Sequence, residues 1–234
     1  MEKILAIIPT RAGSKGLPSK NIIKIGRKPM VAWTIDAALR SKYINRLVIS
    51  SDDQKVLEIA KAYGVETIKR PKNVSEKSDY PPRPVILHTL DFLKKKEDYE
   101  PDIIVYLQST SPLRTYQDID KAIKTMFAKK AGGVMSVSEI NRKYFWSLFL
   151  GKDGFLKKIN EKFGLMIRQK LPVLYIPNGA MYIMKRNFFM ETKALFTKKS
   201  MPYIMSLEKS IDIDTPEDLS MARKVFKKRS KNRR

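Results

Sequence analysis

Apolar residues recur along this chain in two rhythms. Short runs dense in Ile, Leu, Val and Ala, such as ILAIIP, RLVIS and IIVYL, alternate with longer stretches in which apolar positions fall three or four residues apart. The runs predict strands over 3–9, 46–50, 66–68, 103–107, 133–137 and 180–184. The stretches between them predict helices over 30–41, 53–63, 84–96 and 118–129. Such alternation describes successive βαβ units, and therefore an α/β fold with a Rossmann-like, mostly parallel sheet and helices on both faces. No internal repeat or low-complexity linker divides the chain, so residues 1–234 read as one domain. The pattern changes between about 140 and 177, where short mixed segments carry Tyr144, Phe145, Trp146, Phe149 and Phe155. This stretch reads as an insertion, for which a hairpin packed on its own subunit is the plain reading. A last helix follows the IDIDT turn: Thr215 can cap it, Pro216 takes the first helical position and Asp218 falls three residues after the cap.

Two segments carry chemistry. The first predicted strand ends at Pro9, which can donate no ladder hydrogen bond, and runs into a loop with Arg11, Gly13, Ser14, Lys15, Gly16, Lys20 and Asn21. Glycines let backbone N–H groups approach an anion and the cations neutralise it, so the loop is a candidate phosphate cradle at the carboxyl end of a strand. It has neither GxGxxG nor GxxxxGK[ST]. The second segment is Asp212 and Asp214, two carboxylates at i and i+2 that project to one side of an extended chain while Ile211 and Ile213 point to the other. Mg²⁺ prefers a few carboxylates together with water and substrate phosphates, which this pair suits; the alternative is that Asp214 only helps cap the last helix.

Composition narrows the chemistry. The chain has no cysteine and a single histidine, His88, which excludes disulfides, thiolate catalysis, a conventional zinc site and a Ser-His-Asp triad. Any metal must be held by oxygen. His88 itself falls on the predicted helix over 84–96 as a packing or cap residue. Lys and Arg number 47 against 24 Asp and Glu, a formal net charge of +23. That excess would suit nucleic acid, a nucleoside triphosphate or an acidic sugar alike. Most of the lysines are scattered over predicted helices, and only the tail over 224–234, KVFKKRSKNRR, is densely basic. There is no zinc-finger spacing and no RNP-like aromatic signature, so nucleic acid is the less favoured partner. No apolar run is long enough to cross a bilayer, and the first strand starts within three residues of the amino terminus, so a cytoplasmic protein without a signal peptide is expected.

Four blocks, RAGSKGLPSKN (11–21), LQSTSPLR (107–114), NGAMYI (178–183) and IDIDTPEDL (211–219), together with SSDD (50–53) and RQKLP (168–172), give the chain a specific resemblance. In this order, and spread over nearly its whole length, they resemble the acylneuraminate cytidylyltransferases, or CMP-sialic acid synthetases. SKGLPSKN differs from the SxRLPGK pattern of the related CMP-Kdo synthetases, which remain the nearest alternative along with other sugar nucleotidyltransferases. A basic nucleic-acid-binding protein on a degenerate transferase fold, using the tail, is the alternative from another class.

The resemblance implies a nucleotidyltransferase, GT-A-like version of the fold with a dimerisation insertion, a homodimer, and CTP and an acidic nine-carbon sugar as substrates. It implies Mg²⁺, with Mn²⁺ as a substitute, on Asp212 and Asp214, and a triphosphate held by Arg11, Lys15 and Lys20 with the backbone near Gly13 and Ser14. Arg11 would orient the phosphates and Lys20 would stabilise the leaving group. Ala12 sits where backbone groups would meet the cytosine, and Asn21, Arg70 and Ser78 match nucleotide positions. Gln108, Arg168, Gln169, Asn178 and Gly179 match positions near the sugar, with Arg168 facing its carboxylate. Arg114 and Asp120 are expected to be structural.

Overall fold

The computed structural model describes residues 2–13, 16–71, 73–74, 82–163 and 166–231. Its elements are β1 (Ile4–Pro9), β2 (Lys24–Ile25), β3 (Lys28–Pro29), α1 (Met30–Leu39), β4 (Arg46–Ser51), α2 (Gln54–Ala62), β5 (Glu66–Lys69), α3 (Pro82–Glu97), β6 (Ile103–Tyr106), α4 (Tyr116–Ala128), β7 (Gly133–Ile140), β8 (Leu148–Leu150), β9 (Leu156–Lys158), β10 (Leu174–Lys185), α5 (Arg186–Thr192), β11 (Ser200–Ile204) and α6 (Pro216–Lys231). Seven strands form one sheet in the order β11-β7-β10-β6-β1-β4-β5. All neighbours run parallel except β10, which is antiparallel to both β6 and β7.

The period of two along β1 sorts the core. Ile4, Ala6 and Ile8 face α1, α2 and α4 through Val31, Ile35, Val56, Ala60, Ile119 and Ile123, whereas Leu5 and Ile7 face α3 and α5 through Val85, Ile86, Leu93 and Phe189. Helices therefore cover both faces, as the sequence pattern predicts. A third apolar cluster lies beyond the strand ends, where Ile25, Met30, Leu113, Ile213, Leu219 and Ala222 meet, with Leu17, Ile23 and Ile211 against them. It joins parts of the basic loop, the LQSTSPLR loop, the IDIDT turn and α6. No helix among the described residues is long and apolar enough to cross a membrane.

Outside the insertion, four elements were not foreseen. The hairpin β2–β3 is two residues a side, α5 has only seven residues, and β11 is a sheet-edge strand containing Pro202, the position in a sheet where proline is tolerated. The insertion is rooted on the long neighbours β7 and β10 and carries the two-stranded β8–β9 hairpin. Its own subunit leaves the hairpin's apolar residues uncovered: Leu150 is 70% exposed, Phe155 73% and Leu156 69%.

Asp118 ties the start of α4 to the far edge of the sheet. It accepts hydrogen bonds from the N–H and hydroxyl of Thr115, from Lys209 Nζ at 2.8 Å and from the Tyr203 hydroxyl at 3.0 Å. Burial pushes its carboxyl up, but the hydrogen bonds from Lys209 and Thr115 outweigh burial and hold it below the ordinary range. A depressed folded-state pKa stabilises above the unfolded value and is lost as pH falls through the folded one. Asp118→Asn is therefore expected to cost about 2 kcal/mol near pH 7. In urea unfolding, the gap from the parent should close as pH drops below about 4; a gap of constant size down to pH 3 would show that the charge is not what stabilises.

Candidate active site

The carboxyl ends of β1 and β6 open into a cleft of about 380 Å³, with Pro9, Thr10 and Arg11 on one side, Tyr106, Gln108 and Thr110 on another, and Lys20, Arg70, Asp212 and Asp214 completing the wall. This is where open α/β sheets place their ligands. The third apolar cluster binds the neighbours of the basic loop, of the segment after β6 and of the Asp212–Asp214 turn, and Arg70 joins them through hydrogen bonds to the ends of β1 and β4.

The basic loop is held at several points. Ala12 N–H donates to Asp52 Oδ1 at 2.9 Å, fixing the loop against the end of β4. Asn21, only 3% exposed, donates to the Arg11 carbonyl and accepts from Ser109 Oγ at 2.7 Å, which links the loop to the segment after β6. Gly13 takes the left-handed φ of +74°. Gly16 passes so close to the turn after β11 that a Cβ there would lie 2.5 Å from the Asp214 carbonyl oxygen. Ser14 and Lys15, singled out as cradle residues, lie outside the described residues, as does Ser78.

Arg70 is buried at the ends of β1 and β4, donating from Nη2 to the Thr10 carbonyl at 2.6 Å and from Nη1 to the Ser50 carbonyl at 2.8 Å. Burial pushes its guanidinium below the ordinary pKa; Asp52 and Tyr106 oppose this and Arg11 adds to it. Arg70 thus shapes the cleft floor by locking two strand ends. His88 lies on α3, as expected, and takes no place in the cleft wall; burial pushes its imidazole down, with Arg70 adding to the effect and Asp91 opposing it.

Asp212 and Asp214 both reach the cleft while Ile213 between them is fully buried, the alternation that the i, i+2 spacing predicts. The turn is pinned by Ile213 N–H donating to the Thr110 carbonyl at 2.9 Å. The α6 capping box also forms, with Asp218 accepting from the Thr215 N–H at 2.9 Å and from the Asp214 N–H at 3.1 Å. The side chain of Asp214 therefore does not cap the helix; it accepts from Lys20 Nζ at 2.5 Å. Burial pushes the Asp212 carboxyl above the usual range; a hydrogen bond from Thr110 opposes this, Asp214 adds to it and Lys20 opposes. Its Oδ1 is buried without a hydrogen-bond partner among the described residues. An orphaned carboxylate oxygen beside a second carboxylate is a donor set that a divalent cation satisfies. No cluster of three or more His, Cys, Asp or Glu suited to a metal occurs among the described residues, so a cation here would take its other ligands from water and phosphate.

The remaining residues named from the sequence divide. Gln108 lines the cleft, and Gly179, with φ +73°, lies behind it: a Cβ on Gly179 would come 2.5 Å from Gln108 Oε1 and 3.3 Å from Asp212 Oδ2. Asn178 is 7% exposed and turned into the protein, donating to Ser210 Oγ at 2.8 Å and accepting from Ala180 N–H. Arg168 and Gln169 are not brought to the cleft within one chain. They line a separate cavity of about 890 Å³ with Asn141, Arg142, Ile204 and Leu207, between the root of the insertion and the end of β11. Sequence reasoning missed Thr110, which holds Asp212, and Asp52, which holds the loop; both lie within the blocks LQSTSPLR and SSDD, but only their contacts show the roles.

Gly179→Ala is expected to destabilise the protein by about 1–2 kcal/mol, because a side chain at positive φ is strained and the new methyl group meets Gln108. Urea unfolding measures it, and parental stability would mean that the strand corner yields freely.

Comparison with known proteins identifies the family. Residues 5–232 match the family model described as cytidylyltransferase. The chain is 34% identical over 231 residues to the CMP-N,N'-diacetyllegionaminic acid synthase of Legionella pneumophila, covering 96% of each protein. It is 32% identical over 234 residues to the N-acylneuraminate cytidylyltransferase of Escherichia coli O18:K1:H7, covering 99% of this chain and 54% of that protein. The chain thus spans about half the length of the E. coli relative and nearly all of the Legionella one. Among solved structures, CMP:2-keto-3-deoxy-manno-octonic acid synthetase complexed with CTP shares the fold, with a TM-score of 0.69 over 97% of this chain and 99% of that one at 16% identity.

Proposed function

The chain belongs to the cytidylyltransferase family, and from that premise we propose that it activates a nonulosonic, sialic-type acid: the anomeric hydroxyl attacks the α-phosphorus of CTP, its proton departs, and CMP-sugar and pyrophosphate are formed. The observation that carries this reading is the meeting of Arg11 and Lys20 with Asp212 and Asp214 in one cleft, cations for a triphosphate beside carboxylates for its metal. The relatives named for acylneuraminate and legionaminic acid chemistry support the sugar class.

Arg11 has no side-chain partner among the described residues and is free to grip phosphate oxygens with its planar fork. Lys20 is held by Asp214 until the substrate arrives. Once Asp214 is engaged elsewhere, Lys20 would be free for the phosphates, where it would offset the charge gathering on the leaving pyrophosphate. Mg²⁺, with Mn²⁺ as a substitute, would rest on these two carboxylates and supply Lewis acidity at the α-phosphate and the attacking hydroxyl. The Ala12 N–H is spent on Asp52, so the base would meet other groups of the opening loop, while Gln108 would face the sugar, its amide able both to donate and to accept.

Pyrophosphate release is the direct test, with Mg²⁺, CTP and a panel of N-acetylneuraminate, legionaminate, pseudaminate and Kdo, and with ATP, GTP and UTP as controls. Release with CTP and one nonulosonic acid is expected. Release with Kdo alone would move the protein to the sister activity, and failure to bind CTP would overturn the reading. Asp214→Asn should lower turnover by about 100-fold or more with the fold intact by circular dichroism; unchanged turnover with bound Mg²⁺ would remove Asp214 from the metal site.

The uncovered apolar arm and the remoteness of Arg168 and Gln169 from their own cleft support a homodimer in which the arm of one copy serves the sugar end of the other. Light scattering should give about twice the 27.0 kDa chain mass. A monomer alone at micromolar concentration would refute the shared site.

A further inference from the structure

Arg114 is the largest fully buried side chain among the described residues, 2% exposed, and its guanidinium pairs with no carboxylate at ion-pair distance. Burial lowers its pKa to about 10, with only the field of Asp118 opposing. Nε and Nη2 have no hydrogen-bond partner there. A buried cation with two unspent donors costs stability, and an apolar side chain of similar length would fill the space without that cost. What an apolar side chain cannot do is the work of Nη1. That one nitrogen donates to the Ala180 carbonyl at 2.6 Å and to the Gln108 carbonyl at 3.3 Å. The first belongs to β10 just past the Asn178–Gly179 corner, and the second to the cleft residue that lies against Gly179.

We infer that Arg114 is a positioning residue for the sugar-facing wall, setting how far Gln108 stands from the Gly179 corner and hence from Asp212. The inference rests on the reading of Gln108 as the residue that meets the sugar. Among the described residues no hydrogen bond of Arg114 reaches the basic loop, which is tied by Ala12 to Asp52 and by Asn21 to Ser109. Its loss should therefore be felt by one substrate and not the other, a split that a purely structural role would not give. Lysine can reach one of the two carbonyls but lacks the rigid fork, so it should restore the wall in part.

The experiment measures KM for CTP, KM for the sugar acid and Tm in full-length Arg114→Met and Arg114→Lys beside the parent. The expected result is a sugar KM raised about tenfold or more in Arg114→Met with the CTP KM within about twofold, and a smaller rise in Arg114→Lys. Tm should stay within about 5 °C of the parent, since the lost hydrogen bonds and the relieved donors offset each other. Equal changes in both KM values, or none, would overturn the inference. Should Arg114→Met fail to fold, the same split in Arg114→Lys alone decides: present, it supports the role; absent, it removes it. A parent that binds CTP and turns over no acid of the panel takes down the reading of the sugar site and this inference with it, whereas a parent that turns over normally leaves any failure to Arg114 alone.

Discussion

The burial of Ile213 is the constraint on which the cleft depends. Strand-like alternation can place Asp212 and Asp214 on one side only if the residue between them is held on the other, and Ile213 is held there with no exposed surface, against Leu113, Met30 and Leu219. Fully burying such a side chain is worth about 2–3 kcal/mol. The ion pair between Lys20 and a largely exposed Asp214 is worth at most about 1 kcal/mol. The apolar pedestal therefore sets the position of the carboxylates, and the ion pair only occupies them. The same pedestal carries Leu17 of the basic loop and Leu113 of the segment after β6, so each chemical motif brings its own apolar anchor to one cluster.

This division lets the cleft hold charges that do not stabilise it. Two neighbouring carboxylates, one of them desolvated enough to be pushed up, line one cleft with Arg11, Lys20 and the buried Arg70. Lys20 is paired with Asp214 and Arg70 is bound to the strand ends, whereas one oxygen of Asp212 is buried without a hydrogen-bond partner among the described residues. The overall excess of positive charge adds a field that draws anions in, but the excess is spread over the surface and selects no particular one. Selection falls to the cleft wall.

Much of the architecture was legible because it follows from local rules. The parallel strands are continuous apolar runs, the helices between them show their buried stripes, and the start of α6 is written in Thr215, Pro216 and Asp218. What escaped reading was short or depended on distant partners. Seven residues of α5 carry too few turns to show a period, and β11 exists as a strand because β7 offers it an edge. The site shows the same division. Arg11, Lys20, Asp212 and Asp214 stand out by residue type and spacing and Gln108 by the resemblance of its block, and all five line one cleft. Asp52 and Thr110 act by hydrogen bonds across the chain, and no spacing reveals them. Asn178 has the right chemistry for a ligand contact, yet its amide is used to hold the strand corner to Ser210, an outcome only three-dimensional placement decides.

The two ends of the cleft are built to different standards of rigidity, and this bears on how substrates are told apart. Around the basic loop, loop and strands are cross-tied by Asp52, Asn21, Ser109 and Arg70, so the geometry there resists change. At the opposite end the wall is Gln108 laid over Gly179, a glycine that admits no side chain without displacing it, backed by a single nitrogen of Arg114. Arg168 and Gln169 stand on a separate cavity at the root of an uncovered apolar arm. A cleft arranged in this way can change shape at Gly179 or at the arm while the basic loop keeps its own, because the loop's hydrogen bonds run to Asp52 and Ser109 and not to the corner or the arm.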